Sequence, residues 1–351
     1  MSSISKVGDN FIATWFYREG KDDCSVYPNV AMSSYSAKFY ELYLKATLNF
    51  FTSARLFNPN VRLLFFTNIP ANELEKWMVD GVNIRTLFKK LDVRVVNILL
   101  TRKTPEDWFS YWRNQFYLLD MLDYFKANLG SADKFILLDS DCVFTSSADP
   151  IFDAIEDAGI LNLKIGYTEN EKINGLTLEQ MREIYSQIYR EKISPEKFFY
   201  SGGEFVAMKA SLLESFMSEA VFLWGENFER YKRGEIKLNE EAHFLSLLYF
   251  SNGIVNDISG KGFIKRMWTF GSRNVRDGDE KNIIWHLPGE KKYGLPRLFS
   301  WLKRRNFICG KDDFIKAASS YCMVPKKNFG ALLMRYFKAF FYKASKIFGK
   351  Y

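Results

Sequence analysis

The stretch from Lys134 to Ile151, KFILLDSDCVFTSSADPI, constrains this chain more than any other. Four apolar residues, Phe135 to Leu138, are followed at once by Asp139 and Asp141 with only Ser140 between them. Turn-formers then cluster around Ser146, Asp149 and Pro150. A short apolar run bounded by polar turns predicts a buried strand. Both carboxylates then sit near its exit, where bare charges need a cation or hydrogen-bond donors. Hard oxygen ligands beside an open loop suit Mg2+ or Mn2+ carrying a diphosphate. The plainer alternative is a strand end whose aspartates cap the next turn, and a lone Asp-x-Asp does not decide between the two.

The surrounding pattern says where that strand sits. Asn10 to Tyr17, Val61 to Thr67 and Val93 to Ile98 read as strands; Ser36 to Phe57, Ala71 to Val79 and Trp108 to Phe125 read as helices. Such alternation predicts an α/β fold, Rossmann-like, with a mostly parallel central sheet flanked by helices. Ligands of such sheets bind beyond the carboxyl ends of the strands, where Asp139 and Asp141 fall. Downstream, Leu176 to Arg190, Leu212 to Phe228 and Glu240 to Phe250 read as helices, and Phe198 to Lys209 as a loop entering a strand. Ser201, Gly202 and Gly203 lie in that loop; paired glycines there admit a ligand close to the backbone, or simply turn the chain. Glu240 and Glu241 open their helix, where acidic residues complement its dipole.

At 351 residues the chain has room for one large α/β domain with an appendage, or for two domains. Aromatic residues make up 17%, with 33 Phe, which suits a large core and a surface that meets lipid or sugar. Cys24, Cys142, Cys309 and Cys322 are scattered, so neither a disulfide framework nor a zinc motif is expected. MSSISKVGDNF lacks the apolar core of a signal peptide, and no apolar run reaches the ~18 residues of a membrane span. These features lead to the expectation of a cytoplasmic enzyme with at most peripheral membrane contact. The net charge of +8 belongs to one segment, because no acidic residue follows Asp313 while eight basic ones do. No nucleic-acid groove is therefore expected. From Asn328 to Tyr351, Leu333, Phe337, Phe340, Phe341, Ala344, Ile347 and Phe348 share one helical face and the basic residues share the other. A helix of that kind lies in the headgroup region of an anionic membrane, or packs on its own domain.

His286 is one of two histidines and opens HLPGEKKYG, with Gly289 and Lys292 at positions four and seven. A histidine after a short strand is as a rule a packed or surface residue. Beside two aspartates, however, a neutral imidazole can complete a metal shell. Gly289 would admit a phosphate to the backbone, and Lys292 would offer charge to a leaving diphosphate. Asp139-Ser140-Asp141, Ser201-Gly202-Gly203, Glu240-Glu241 and His286 through Lys292, in that order, resemble the motifs of glycosyltransferase family 8 and its GT-A relatives. Tyr111-Trp112-Arg113 is similar to the family's Tyr-x-Arg. Glu240-Glu241 stands where the family usually has Asp-Gln, and Tyr293-Gly294 where it often has Pro-Trp.

The resemblance implies a GT-A catalytic domain over residues 1–295 and a membrane-associating helical region over 296–351. It implies Mn2+ or Mg2+ held by Asp139, Asp141 and His286. A nucleotide diphosphate sugar would be bound by Arg113, Ser140, Gly202, Gly203, Gly289 and Lys292 together with the aspartates. Glu240, Glu241 and Lys292 would act in the transfer step. The expected reaction moves a hexose from UDP-galactose or UDP-glucose, with retention, to a glycan or lipid-linked acceptor in surface polysaccharide synthesis. Residues 325–351 would hold the enzyme on the inner face of the cell membrane. Two rivals stand beside this. Asp139, Asp141 and Val143 also satisfy the Asp-x-Asp-x-Thr/Val of haloacid-dehalogenase-type phosphatases, with Asp139 as nucleophile. That nucleophile usually lies on the first strand, which this position is not. The other rival is a non-catalytic membrane-bound scaffold.

Overall fold

The central strands are apolar on both faces, and only a sheet covered on both sides tolerates that. In this computed structural model, which describes residues 8–28, 30, 32–271, 273–327, 330, 332 and 333, they form such a sheet. In chain order the elements are β1 (Asn10–Phe16), α1 (Ala37–Phe57), β2 (Arg62–Thr67), α2 (Ile84–Lys90), β3 (Val93–Asn97), α3 (Tyr117–Asn128) and β4 (Lys134–Leu138). There follow β5 (Cys142–Phe144), α4 (Asp149–Ala158), β6 (Ile160–Leu161), α5 (Leu178–Tyr189), β7 (Phe205–Lys209), α6 (Leu213–Lys232) and α7 (Glu241–Ser251). The last are β8 (Ile264–Arg266), β9 (Ile284–His286), α8 (Gly294–Lys303) and α9 (Lys311–Cys322).

The sheet order is β3-β2-β1-β4-β7-β6, with β7 antiparallel to both neighbours and the first four strands parallel. Alternate residues divide between two cores. Ile12, Phe65, Ile136 and Leu138 face α1, α2, α4, α8 and α9; Phe11, Ala13, Phe66, Phe135 and Leu137 face α3, α5, α6 and α7. From β1 the chain runs outward to β2 and β3, then returns past β1 to β4. That reversal opens a crevice beyond the carboxyl ends of β1 and β4. A second sheet, β8-β9-β5, closes one wall of it.

Helix α1 carries polar residues on its buried face, and each holds backbone that supports the crevice. Asn49 donates to the Leu295 carbonyl at 2.8 Å, Ser53 Oγ accepts from the Phe144 N–H at 3.1 Å, and Asn58 Oδ1 accepts from the Ala148 N–H at 2.7 Å. Buried donors of this sort must be paired, and these bonds fix the β5–α4 segment that follows Asp141 and the start of α8.

Three sequence expectations need adjusting. The helix expected from Ala71 stops at Leu74, because Met78–Val79 pairs with Val82–Asn83 around Asp80-Gly81, both at positive φ, the two-residue hairpin turn. The helix expected from Trp108 begins only after Trp112, itself in the left-handed region at φ 46°; Trp108 stacks on Trp224 and Phe228 instead. Pro150 sits in the first turn of α4 rather than in a loop, a position that needs no N–H. After residue 295, α8 and α9 pack into the α1 core through Leu298, Phe299, Phe314 and Cys322. Most of the basic amphipathic segment beyond them, residues 334–351 included, lies outside the described residues. Among the described residues, no helix is long and apolar enough to cross a membrane.

Candidate active site

The turn after β4 hands the chain from one sheet to the other. Asp139 N–H donates to the Glu204 carbonyl and Cys142 N–H to the Asp139 carbonyl, each at 3.2 Å. In the small sheet Cys142 lies opposite His286, and Arg266 pairs with His286 from the other side. Leu287 N–H donates to the Asp141 carbonyl at 3.1 Å. Backbone pairing alone thus brings the two aspartates and the histidine together.

His286 Nε2 lies 3.5 Å from Asp141 Oδ1 and 3.7 Å from Asp139 Oδ2, and the three ligand atoms fall within 4.8 Å of one another. Asp141 is wholly buried and His286 nearly so, while Asp139 is at the rim. Neither Asp141 Oδ1 nor His286 Nε2 has a hydrogen-bond partner among the described residues. Two adjacent ligands ~2.1 Å from one ion sit roughly 3 Å apart, and more at wider angles, so this spacing fits a single divalent cation. Two carboxylates and an imidazole form a donor set suited to Mn2+ or Mg2+.

The other ring nitrogen is spoken for. His286 Nδ1 lies 3.2 Å from Glu204 Oε1, and Arg266 grips the same carboxylate with Nε at 2.7 Å and Nη2 at 2.5 Å. A proton on Nδ1 donated to Glu204 leaves Nε2 facing the aspartates, the usual way a second carboxylate orients a ligating histidine. Lys291 Nζ lies 2.6 Å from Asp141 Oδ2.

Charges follow from these neighbours. Burial and then the Asp141 charge push Asp139 up to about 6. Burial works the same way on Asp141, but Lys291 and His286 outweigh it and hold the group far below the carboxylate range. Glu204 is held low against burial by Arg266 and His286. Burial would keep the imidazole of His286 neutral, yet Asp141 and Glu204 outweigh it and push it up to about 9.

A cation can take Nε2 only from neutral imidazole, so metal binding at pH 7 to 8 should release close to one proton, falling to about half of one near pH 9. Apparent Mn2+ affinity should climb steeply, approaching tenfold per pH unit, and level off above about 9. Calorimetry in buffers of different ionisation enthalpy reads the proton directly; release of none at pH 8 would contradict a His286–metal bond.

A cleft of about 410 Å³ opens over this cluster. Of the residues singled out in the sequence, Asp139, Ser140, Asp141, Gly203, Glu240, Glu241 and His286 line it. Arg113, Gly202, Gly289 and Lys292 do not. Arg113 is turned to the Thr104 carbonyl at 3.5 Å. A Cβ on Gly202 would collide with Glu204 Oε2, so that glycine makes room for the carboxylate rather than for a ligand. A Cβ on Gly203 would come within 2.6 Å of Glu241 Oε1, at the cleft wall itself. Pro288–Lys292 forms a 3-10 turn, whose threefold period puts Pro288 and Lys291 into the cleft and turns Gly289 and Lys292 away.

The acidic pair has two different settings. Glu240 is buried and accepts from Tyr200 Oη at 2.8 Å and Asn174 Nδ2 at 2.5 Å. Half-buried Glu241 faces the Gln115 amide, which with its nitrogen turned inward donates at 2.8 and 2.5 Å. Burial, Glu240 and Asp139 push Glu241 well up. His243 is a packed histidine: Nε2 bonds the Ile173 carbonyl at 2.8 Å, Nδ1 accepts from Asn239 N–H, and burial lowers its pKa. Glu204, Arg266, Lys291 and Gln115 escaped sequence reading; only the buried acid in GGEFVAM, following the two glycines, offered a signal for any of them.

No family model matches this chain, and no curated protein does. Solved structures do resemble it, among them the two that follow. One is mouse xyloside xylosyltransferase 1 in its apo form, 11% identical, TM-score 0.44, covering 79% of this chain and 97% of that one. The other is an active-site mutant of LgtC, 13% identical, TM-score 0.46, covering 92% and 100%. At these identities and scores neither neighbour's activity carries over.

Proposed function

We propose that this chain is a metal-dependent glycosyltransferase of the GT-A kind, moving a sugar from a nucleotide diphosphate donor to a hydroxyl acceptor. The observation that carries the reading is the pair of buried, unbonded atoms, Asp141 Oδ1 and His286 Nε2, facing Asp139 at the crevice of a Rossmann-like sheet. Mn2+ or Mg2+ held by those three residues would act as Lewis acid toward the departing diphosphate. Lys291, rather than Lys292, adds positive charge at that point and leans on Asp141 until an anion arrives.

Trp15, Tyr17 and Trp112 line the cleft on the β1 side and offer flat apolar faces to a base or sugar ring. Glu241, steadied by Gln115, takes hydroxyls of the transferred sugar; Glu240, locked by Tyr200 and Asn174, fixes the floor beneath it. In the reaction the anomeric carbon loses its bond to the diphosphate oxygen and gains one to the acceptor oxygen, whose proton leaves with the phosphate. A hexose from UDP-galactose or UDP-glucose, retention, and a glycan or lipid-linked acceptor are the finer reading that the motif order favours. The basic, Phe-rich segment 325–351 supports a membrane-borne acceptor.

A screen of nucleotide sugars tests this. One of them should be hydrolysed, or should raise the melting temperature, only with Mn2+ or Mg2+ present. Failure of every donor with either ion would sink the reading. Flotation on anionic vesicles, full chain against a chain ending at 324, tests the membrane part; equal behaviour removes it.

A further inference from the structure

Behind the cleft lies a second cavity of about 250 Å³, and three of its buried lining residues carry unpaired polar groups. Asn162, Ser201 and Tyr249 are each 0 to 1% exposed. No described residue bonds Asn162 Nδ2 or Oδ1, Ser201 Oγ or Tyr249 Oη, and all three side chains belong to this one cavity. Buried polar atoms in folded proteins are nearly always satisfied, so four orphans around one space imply a polar occupant.

The chemistry of the lining says which kind. The orphaned groups are an amide and two hydroxyls, neutral and able both to donate and to accept. The charged Glu191 and Lys197 are exposed, at the rim. Phe250 and Phe199 add aromatic surface beside them. Neutral two-way hydrogen bonding next to aromatic faces matches a hydroxyl-bearing ring. The space would hold roughly eight waters at ~30 Å³ each, or one small ring.

The cavity is back to back with the cleft through two shared elements. Tyr200 lines the cleft while its neighbour Ser201 lines the cavity. Along α7, Glu241 and Ala242 reach the cleft and Ser246, Tyr249 and Phe250 reach the cavity. Anything bound there presses on the helix that presents Glu241.

We propose that this cavity is a second binding site, for a neutral hydroxylated molecule of monosaccharide size, set apart from the metal cluster. The proposal does not rest on the transferase reading, because the cavity and its orphaned groups exist whatever the cleft does. The test uses the full chain with D-glucose, D-galactose, D-xylose and N-acetyl-D-glucosamine as probes at millimolar concentration, followed by saturation-transfer NMR. At least one should bind. Tyr249→Phe and, separately, Ser201→Ala should weaken it fivefold or more, while Asp139→Asn in the cleft leaves it unchanged. Two hydroxyl deletions are used so that one poorly folded variant does not decide the matter. Loss of binding in Asp139→Asn, with both hydroxyl variants unaffected, would place the sugar in the cleft and overturn the proposal. No binding by any probe, with a crystal showing only a cluster of waters in the cavity, would overturn it as well.

Discussion

Asp141→Asn should lower metal-dependent donor turnover by about three orders of magnitude while the chain stays folded. The side chain is fully buried, faces His286 Nε2 at 3.5 Å and is paired with Lys291 at 2.6 Å. The amide keeps the shape and removes the charge. A divalent ion would then share the pocket with one carboxylate, Asp139, against two neighbouring cationic groups. A catalytic metal supplies several kcal/mol of transition-state stabilisation, and ~4 kcal/mol corresponds to roughly 10³ in rate. Asp139→Asn should cost less, because Asp139 sits at the rim where water can take its place in the coordination shell. Turnover at saturating Mn2+, with Mn2+ affinity and a thermal melt alongside, makes the comparison. An Asp141→Asn enzyme within tenfold of the parent, still requiring Mn2+, would remove Asp141 from the metal site.

Residues whose role depends on neighbours in sequence were legible; those whose role depends on a partner far along the chain were not. The apolar run into Asp139 and Asp141 is a local pattern, and so is the short strand ending in His286. Both therefore point to the cluster that the fold assembles. The choice between Lys291 and Lys292 hangs on one 3-10 turn, whose period cannot be read from two adjacent lysines. Trp108, Trp112 and Phe116 have helical spacing, but the stacking of Trp108 on Trp224 and Phe228 overrides it, and those rings belong to a helix a hundred residues away. Arg113 turns away from the cleft because the local turn before α3 sets its direction toward the Thr104 carbonyl. Asp80-Gly81 is a local hairpin signal, and it ends the helix expected from Ala71. Glu204 is the instructive omission. It directly follows Gly202 and Gly203, yet a carboxylate entering an apolar strand carries no signal until Arg266 is placed beside it.

Glu204 should separate into two effects that a single deletion would confuse. Glu204→Ala leaves Arg266, whose side chain is 18% exposed, without its carboxylate. Removing one partner of a buried pair costs about 3–5 kcal/mol, because the remaining charge is stranded. Glu204→Gln keeps the volume and can still hydrogen-bond Arg266, so its loss of stability should be much smaller. It also takes away the charge that orients His286 Nδ1, and changes of that sort lower metal affinity 10- to 100-fold. The His286 imidazole, pushed up to about 9 partly by Glu204, should titrate lower in Glu204→Gln. The steep rise of Mn2+ affinity should then level off at a lower pH than in the parent. A purely structural role would not move that profile. The double variant Glu204→Leu with Arg266→Met completes the test, since replacing a buried ion pair by apolar side chains is often close to neutral for stability. It should melt within a few degrees of the parent and still bind Mn2+ weakly. If Glu204→Gln holds Mn2+ within threefold of the parent at every pH, the carboxylate braces the sheet and does not orient the histidine.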